Sequence, residues 1–163
     1  MASPKSLHEM FVEELQDLYD AEHQIAEALP DMQKAATNRE LTSAFKEHLS
    51  QTEQHISRLE QVFENLGETP KRKACKGMKG LLTEGKEIIK EVNDKQTLDA
   101  ALIAGAQKVE HYEISAYGTL RTWAQTMGHD KEAQILEQTL NEESQTDKRL
   151  TQIAESRVNA KAQ

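Results

Sequence analysis

Little in this sequence bends, breaks or cross-links a chain. Its 163 residues include 7 glycines, 3 prolines and 1 cysteine. So few turn-forming residues argue against a sandwich or barrel, which needs a turn after every short strand. The single cysteine, Cys75, excludes an intrachain disulfide and suits a reducing compartment. Aromatic residues make up 4%, so the core should rest on Leu, Ile, Val and Ala. No stretch approaches the ~18 apolar residues of a membrane span. The N-terminal MASPKSLHEMF lacks the apolar centre of a secretory signal. A net charge of −8 argues against nucleic acid as a partner, because a phosphate backbone needs a basic face. The expectation is a cytoplasmic protein with neither a membrane nor a nucleic acid as partner.

What is present favours helices. Ala, Leu, Glu, Gln and Lys dominate, and all are good helix formers. At 18.4 kDa the chain suits one domain, residues 1–163. Apolar residues spaced three and four apart predict helices at about 6–36, 40–66, 76–93, 97–127 and 130–155. Ser6 is the expected first cap, with Glu9 three residues on as in a capping box. Pro30 predicts a kink or break. Thr37-Asn38 and Gly128-His129-Asp130 read as turns, and Gly67 with Pro70 beyond it ends the second helix. Thr97 is the expected cap of the fourth helix, and the tail RVNAKAQ is expected to fray. Between the two hairpins lies a basic connection, ETPKRKACKGMKG, followed by a short amphipathic helix. This connection is long enough to cross a bundle. The predicted class is all-α: a ferritin-like four-helix bundle with one long crossover carrying an additional short helix.

The two halves also align with each other at a shift of 91. Glu22 then falls on Glu113, Leu49 on Leu140, Arg58 on Arg149 and Leu59 on Leu150, without a gap. That is the pattern of a duplicated hairpin.

Polar residues interrupt the apolar stripes. In KVEHYEISAYGTL, residues 108–120, Glu113 falls in the stripe of its helix and Glu110 at the edge. Glu22 does the same on the first helix, and Glu143 and Asp147 on the last. On the second helix Thr52 interrupts the stripe, with His48 and His55 beside it. Their levels agree. Glu22 lies sixteen residues before Asn38 and His55 seventeen after it; Glu113 lies sixteen before His129, with Glu143 and Asp147 fourteen and eighteen after. Residues equidistant from a hairpin turn share a layer, so these groups should converge near the middle. Several carboxylates in one dry layer cost about several kcal/mol per buried ion unless protonated or bridged by a cation. Oxygen ligands with imidazole suit iron or manganese, with zinc as a substitute. A two-metal site explains the pattern most economically. The competing accounts are Glu-rich helices, and acids paired with Arg58 or Arg149 at the bundle edge.

The segments YDAEHQIAEALP, QKVEHYEISAYGTL and QTLNEESQTDKRL, with the basic connection and its cysteine, resemble the YciF/YciE family of bacterial stress-response proteins over residues 7–155. The resemblance implies a ferritin-like bundle near rubrerythrin, a homodimer and a metal site. The rubrerythrin-like di-iron pattern is a Glu on the first bundle helix, Glu-x-x-His on the second, Glu-x-x-Glu on the third and Glu-x-x-His on the fourth. Glu22 fits the first, and Glu110 with Glu113 the third. The second offers Thr52-x-x-His55 and the fourth Glu143-x-x-Thr146, each lacking half its motif. Glu53 and His48 are further candidates on the second helix, and Asp147 on the fourth.

The functional expectation is a di-metal, most simply di-iron, carboxylate protein of the stress response that meets oxygen or peroxide. The alternative is a non-catalytic ferritin-like scaffold or interaction protein with a degenerate metal site. Tyr19, Tyr112 and Tyr117 lie close enough to touch such a site, although buried tyrosines usually only pack. Cys75 has cationic neighbours that could activate it, against the plainer reading of a small residue tucked under the connection.

Overall fold

A computed structural model describes residues 4–163. It is all-helical: α1 Leu7–Ala35, α2 Arg39–Asn65, α3 Lys76–Glu91, α4 Lys95–Thr126 and α5 Asp130–Ile153, then a π-helical turn Ala154–Val158 and a last turn α6 Asn159–Lys161. Among the described residues no helix is long and apolar enough to cross a membrane.

The helix ends follow local chemistry. Ser6 Oγ accepts from Glu9 N at 3.1 Å, and Asn38 Oδ1 accepts from Glu40 N and Leu41 N. The Glu9 carboxylate reaches Lys5 N at 2.6 Å, one residue short of a reciprocal capping box. Gly67 (φ 71°) and Gly128 (φ 77°) take the left-handed conformation that closes α2 and α4. In each case the next residue donates back to the helix, Glu68 N to Phe63 O and His129 N to Ala124 O, both at 2.9 Å.

Three expectations need correction. α4 begins at Lys95 and is capped by Asp94, which accepts from Thr97 N at 2.8 Å; Thr97 is inside the helix. α1 runs through Pro30 without a break, because Pro30 lies on the exposed side where water can reach the backbone group it leaves without a donor. The tail is not frayed: Ala154 and Val158 are buried and their turns pack on α4.

α1, α2, α4 and α5 enclose one apolar core, with α3 lying against α1 and α4. Three-residue turns join α1 to α2 and α4 to α5, so each pair is an antiparallel hairpin. Phe11 near the start of α1 stacks on His129, while Asp99 near the start of α4 accepts from Thr37 N, Thr37 Oγ1 and Asn38 N. α1 and α4 are therefore antiparallel as well. Polar residues placed midway along the helices meet at one level.

The basic segment before α3 is pinned to α1. Lys73 N donates to Gln16 O, Lys73 Nζ pairs with Glu13, and Asp20 receives both Arg72 and the backbone N–H of Cys75. Cys75 is buried; its Sγ accepts from Met78 N and lies 3.0 Å from the Tyr112 hydroxyl, which is bonded to Asp17. Burial pushes the Cys75 thiol up, so the lysines around it in sequence do not activate it.

Tyr112 fixes where α3 starts. A Cβ on Gly77 would lie 2.8 Å from the Tyr112 ring, which is held from two sides. Gly77→Ala gains about 1 kcal/mol of helix propensity, but overpacking costs about 1–3 kcal/mol. The prediction is a lower melting temperature with faster modification of Cys75 by a thiol reagent. A higher melting temperature would show that Tyr112 moves aside freely.

Candidate metal centre

Seven polar residues occupy core positions at the middle of the molecule: Glu22 on α1, His48, Thr52 and His55 on α2, Glu110 and Glu113 on α4, and Glu143 on α5. None is more than 4% exposed. On α2 they are spaced four and three apart between Phe45 and Leu59, so they replace the apolar stripe and do not merely border it.

The cluster has two overlapping halves. Glu22, His55, Glu113 and Glu143 each present a ligand atom within 4.8 Å of the others, and so do His48, Glu110, Glu113 and Glu143. His55 Nδ1 lies 2.8 Å from Glu143 Oε1 and 3.5 Å from Glu22 Oε1. His48 Nε2 lies 3.2 Å from Glu110 Oε1 and 3.9 Å from Glu143 Oε2. Glu113 and Glu143 belong to both halves.

Most of this layer lacks hydrogen-bond partners. Eleven buried side-chain N and O atoms among the described residues make no well-formed hydrogen bond, and ten belong to these seven residues, including both oxygens of Glu113 and of Glu143; His55 Nδ1 and His48 Nε2 each approach a carboxylate oxygen only as an ion pair. An unpartnered buried polar group ordinarily costs about 1–3 kcal/mol, more if charged. A dication placed among these atoms would satisfy them, so the donor set fits a metal.

Proton positions follow from the same crowding. Burial, then the charge of Glu143, holds Glu110 well above the usual carboxylate range; burial and the charges of Glu143 and Glu22 do the same to Glu113. Burial opposes a charged His55, but close contact with Glu143 and Glu22 outweighs it and pushes the imidazole up to about 10. Burial also opposes a charged Glu143, yet His55 and His48 keep it below the usual range. Without metal, protons carry the compensating charge.

Outside the cluster, His55 Nε2 meets Glu142 Oε2 at 2.9 Å, and Arg58 grips both oxygens of Glu142 at 2.7 and 2.8 Å. A carboxylate on Nε2 selects the tautomer whose Nδ1 lone pair faces the cluster. The Tyr117 hydroxyl donates to Glu22 Oε1, and burial raises Tyr117 well above the ordinary tyrosine range. Arg58 and Arg149 pair with Glu142 and Glu47, not with the core acids.

Six of the candidates from sequence are thus brought together: Glu22, His48, His55, Glu110, Glu113 and Glu143. Asp147 and Glu53 are not. Asp147 turns toward the flank of α4, where Gln107 donates to it at 3.1 Å and His111 lies 3.2 Å away. Glu53, next to core-facing Thr52, is exposed. Glu110 is fully in the core because the α4 stripe passes through Tyr117 and Ala124; Ala116 and Trp123 are only half-buried. Glu142 escaped the sequence reading. Its one signal was a second carboxylate beside Glu143, which periodicity alone places on the surface.

Residues 6–163 match the family described as a domain of unknown function, DUF892. Protein YciF of Escherichia coli (strain K12) is 44% identical over 160 residues, 98% of this chain and 96% of YciF. The crystal structure of the E. coli stress protein YciF matches with a TM-score of 0.92 at 43% identity, covering 96% of this chain and 99% of that one. YcfI from Rhodopseudomonas palustris matches with a TM-score of 0.90 at 42% identity, covering 93% and 98%.

The unmet demand at Glu113 makes a stability prediction. Replacing a buried, unpaired carboxyl by an apolar side chain of similar volume stabilises by about 1–4 kcal/mol. Chelator-treated Glu113→Met should therefore melt above chelator-treated wild type, by roughly 2–4 °C per kcal/mol. A lower melting temperature would mean that contacts within the protein already satisfy Glu113.

Proposed function

The chain belongs to the DUF892 family, and from that membership and the geometry of the core we propose a di-metal carboxylate protein that serves the bacterial stress response. The fold, on this reading, is a ferritin-like four-helix bundle of α1, α2, α4 and α5, with α3 carried on the crossover between α2 and α4. The supporting observation is the set of ten unpartnered buried atoms at one level of the core.

The donor count favours two ions. Glu22, Glu110, Glu113 and Glu143 carry four negative charges when ionised, and His48 and His55 bind metals as neutral groups. Two dications would neutralise the site. Glu113 and Glu143 would serve both halves, and Glu22 with His55 and Glu110 with His48 would complete each side. This restores the four carboxylates and two imidazoles of the rubrerythrin-like set by another route. α2 supplies both imidazoles, seven residues apart, and neither a carboxylate from α2 nor an imidazole from α5 is needed. Oxygen-rich coordination with one imidazole per ion suits iron or manganese better than zinc.

When bound, a pair of redox-active ions supplies one electron each to a small oxidant such as oxygen or peroxide. The surrounding residues do the rest. Glu142 and Arg58 orient His55, Tyr117 holds Glu22, and the apolar layers on either side exclude water. The similarity to a stress protein supports the stress-response part of this reading.

Metal binding must displace the protons on His55, Glu110 and Glu113, so affinity should rise with pH. The test is anaerobic reconstitution with ferrous iron, with calorimetry in buffers of different ionisation heat. About two irons per chain are expected, with release of at least about one proton. Glu113→Ala/Glu143→Ala should lose the iron. No metal above background, no proton release and a melting temperature indifferent to chelator would overturn the reading in favour of a scaffold with a degenerate site.

A further inference from the structure

Beside the His48–Glu110 half of the cluster lies an apolar cavity of about 20 Å³, and beneath α3 lies a second of about 30 Å³. The inner cavity is walled by Ile25, Leu29, Phe45, Ala106 and Leu150, and two of its lining residues are His48 and Glu110. The outer one runs between α1 and α4 under Leu81, Ile88 and Ile89 of α3, with the exposed Asp31 and Lys86 also at its lining. Ala28, Met32, Leu82 and Val109 line both, so the two are separated only by these side chains.

Three further observations bear on what this space is for. His48 and Glu110 are 4% and 2% exposed, and both nitrogens of His48 and Oε2 of Glu110 lack hydrogen bonds. The outer cavity is also lined by Gly85 and Gly105, two helical glycines at which an added Cβ would meet nothing within 4 Å. Glycine inside a helix costs stability, and here no close packing requires it. Finally, α3 is the loosest of the longer helices: of its 16 residues only Met78 is buried, and Leu81, Leu82, Ile88 and Ile89 are half-covered. Small side-chain movements of Leu82 and Met32 would join the cavities.

We propose that these cavities form the entry path of dioxygen to the metal centre, ending at the His48–Glu110 side, with Leu82 as the gate. The inference rests on the metal reading above and adds the oxidant's identity and its route. Each cavity is large enough for about one small molecule. An apolar wall admits an uncharged diatomic molecule without desolvation. Between Asp31 and Lys86 at the outer cavity and the polar groups at the inner end, hydrogen peroxide would surrender its hydrogen bonds to water along the apolar stretch, at a cost of about 1–3 kcal/mol for each group left unpaired.

Two measurements test the path separately from the metal. Xenon, which enters dry apolar cavities, is applied under pressure to crystals of the metal-free protein. It should appear between Ala28, Leu82 and Val109, and it should be absent from Val109→Phe. Absence from wild type overturns the path whether or not metal binds. The second measurement mixes the anaerobic, ferrous-loaded protein with dioxygen or with hydrogen peroxide in a stopped-flow instrument. Gly105→Leu, whose added side chain projects into the outer cavity, should keep the wild-type iron content. Its oxidation by dioxygen should slow by about tenfold or more, the change expected for ~1.4 kcal/mol of added barrier. Its oxidation by peroxide should change by less than about twofold. Equal slowing of both oxidants, or of neither, overturns the assignment of the path to dioxygen. A wild-type protein that takes up xenon but binds no iron would overturn the metal reading while supporting the cavity path.

Discussion

Four carboxylates and two imidazoles share one buried layer, and their mutual repulsion is the constraint around which this molecule is arranged. Left alone, the layer would push the helices apart or draw water in. Burial and crowding favour the protonated forms of Glu110 and Glu113, and the short contacts from His55 to Glu143 and Glu22 favour a charged imidazole; both ease the repulsion. These compensations are incomplete, because both oxygens of Glu113 still lack a donor. A site that costs stability when empty is what a binding centre looks like in a fold that could have used leucine.

The remaining architecture holds that layer in place. Apolar layers above and below it, with Leu18, Leu59 and Leu120 on one side and Ile25, Phe45 and Leu150 on the other, supply the hydrophobic energy that offsets the polar cost. Schellman turns at Gly67 and Gly128 and the Asn38 cap set the helix ends. Asp99, by bonding the α1–α2 turn, fixes the relative height of the two hairpins. An error of one residue in that height would move Glu22 and His55 away from Glu113 and Glu143. Outside the cluster, Glu142 with Arg58 and Tyr117 with Glu22 fix the orientation of His55 and Glu22 at the edges of the layer.

Much of this was legible in the sequence. Period and level together marked Glu22, His55, Glu113 and Glu143, because a carboxylate on an apolar stripe is rare and distance from a hairpin turn measures height directly. Glu110 and His48 were harder. Glu110 sits about 60° around its helix from Glu113, and His48, though only about 20° from His55, lies two turns nearer the hairpin turn; periodicity alone does not distinguish the edge of a stripe from a second wall of one site. Asp147 was misplaced for the same reason: a residue four beyond Glu143 can turn to either neighbour, and Gln107 with His111 drew it toward α4. Of the kink or break expected at Pro30 the break does not occur, and local propensity understated the order of the tail, which tertiary packing of Val158 decides. Glu142 and the cavities under α3 depend on how side chains from separate helices meet, and no local pattern encodes that.

The central claim is that the two halves of the polar layer are two metal positions sharing Glu113 and Glu143. Anomalous diffraction from crystals loaded with iron or manganese, recorded on both sides of the metal's absorption edge, tests it most directly. The account predicts two peaks in the core, one among Glu22, His55, Glu113 and Glu143 and one among His48, Glu110, Glu113 and Glu143. A core without a peak, with any bound metal confined to surface carboxylates, would contradict it.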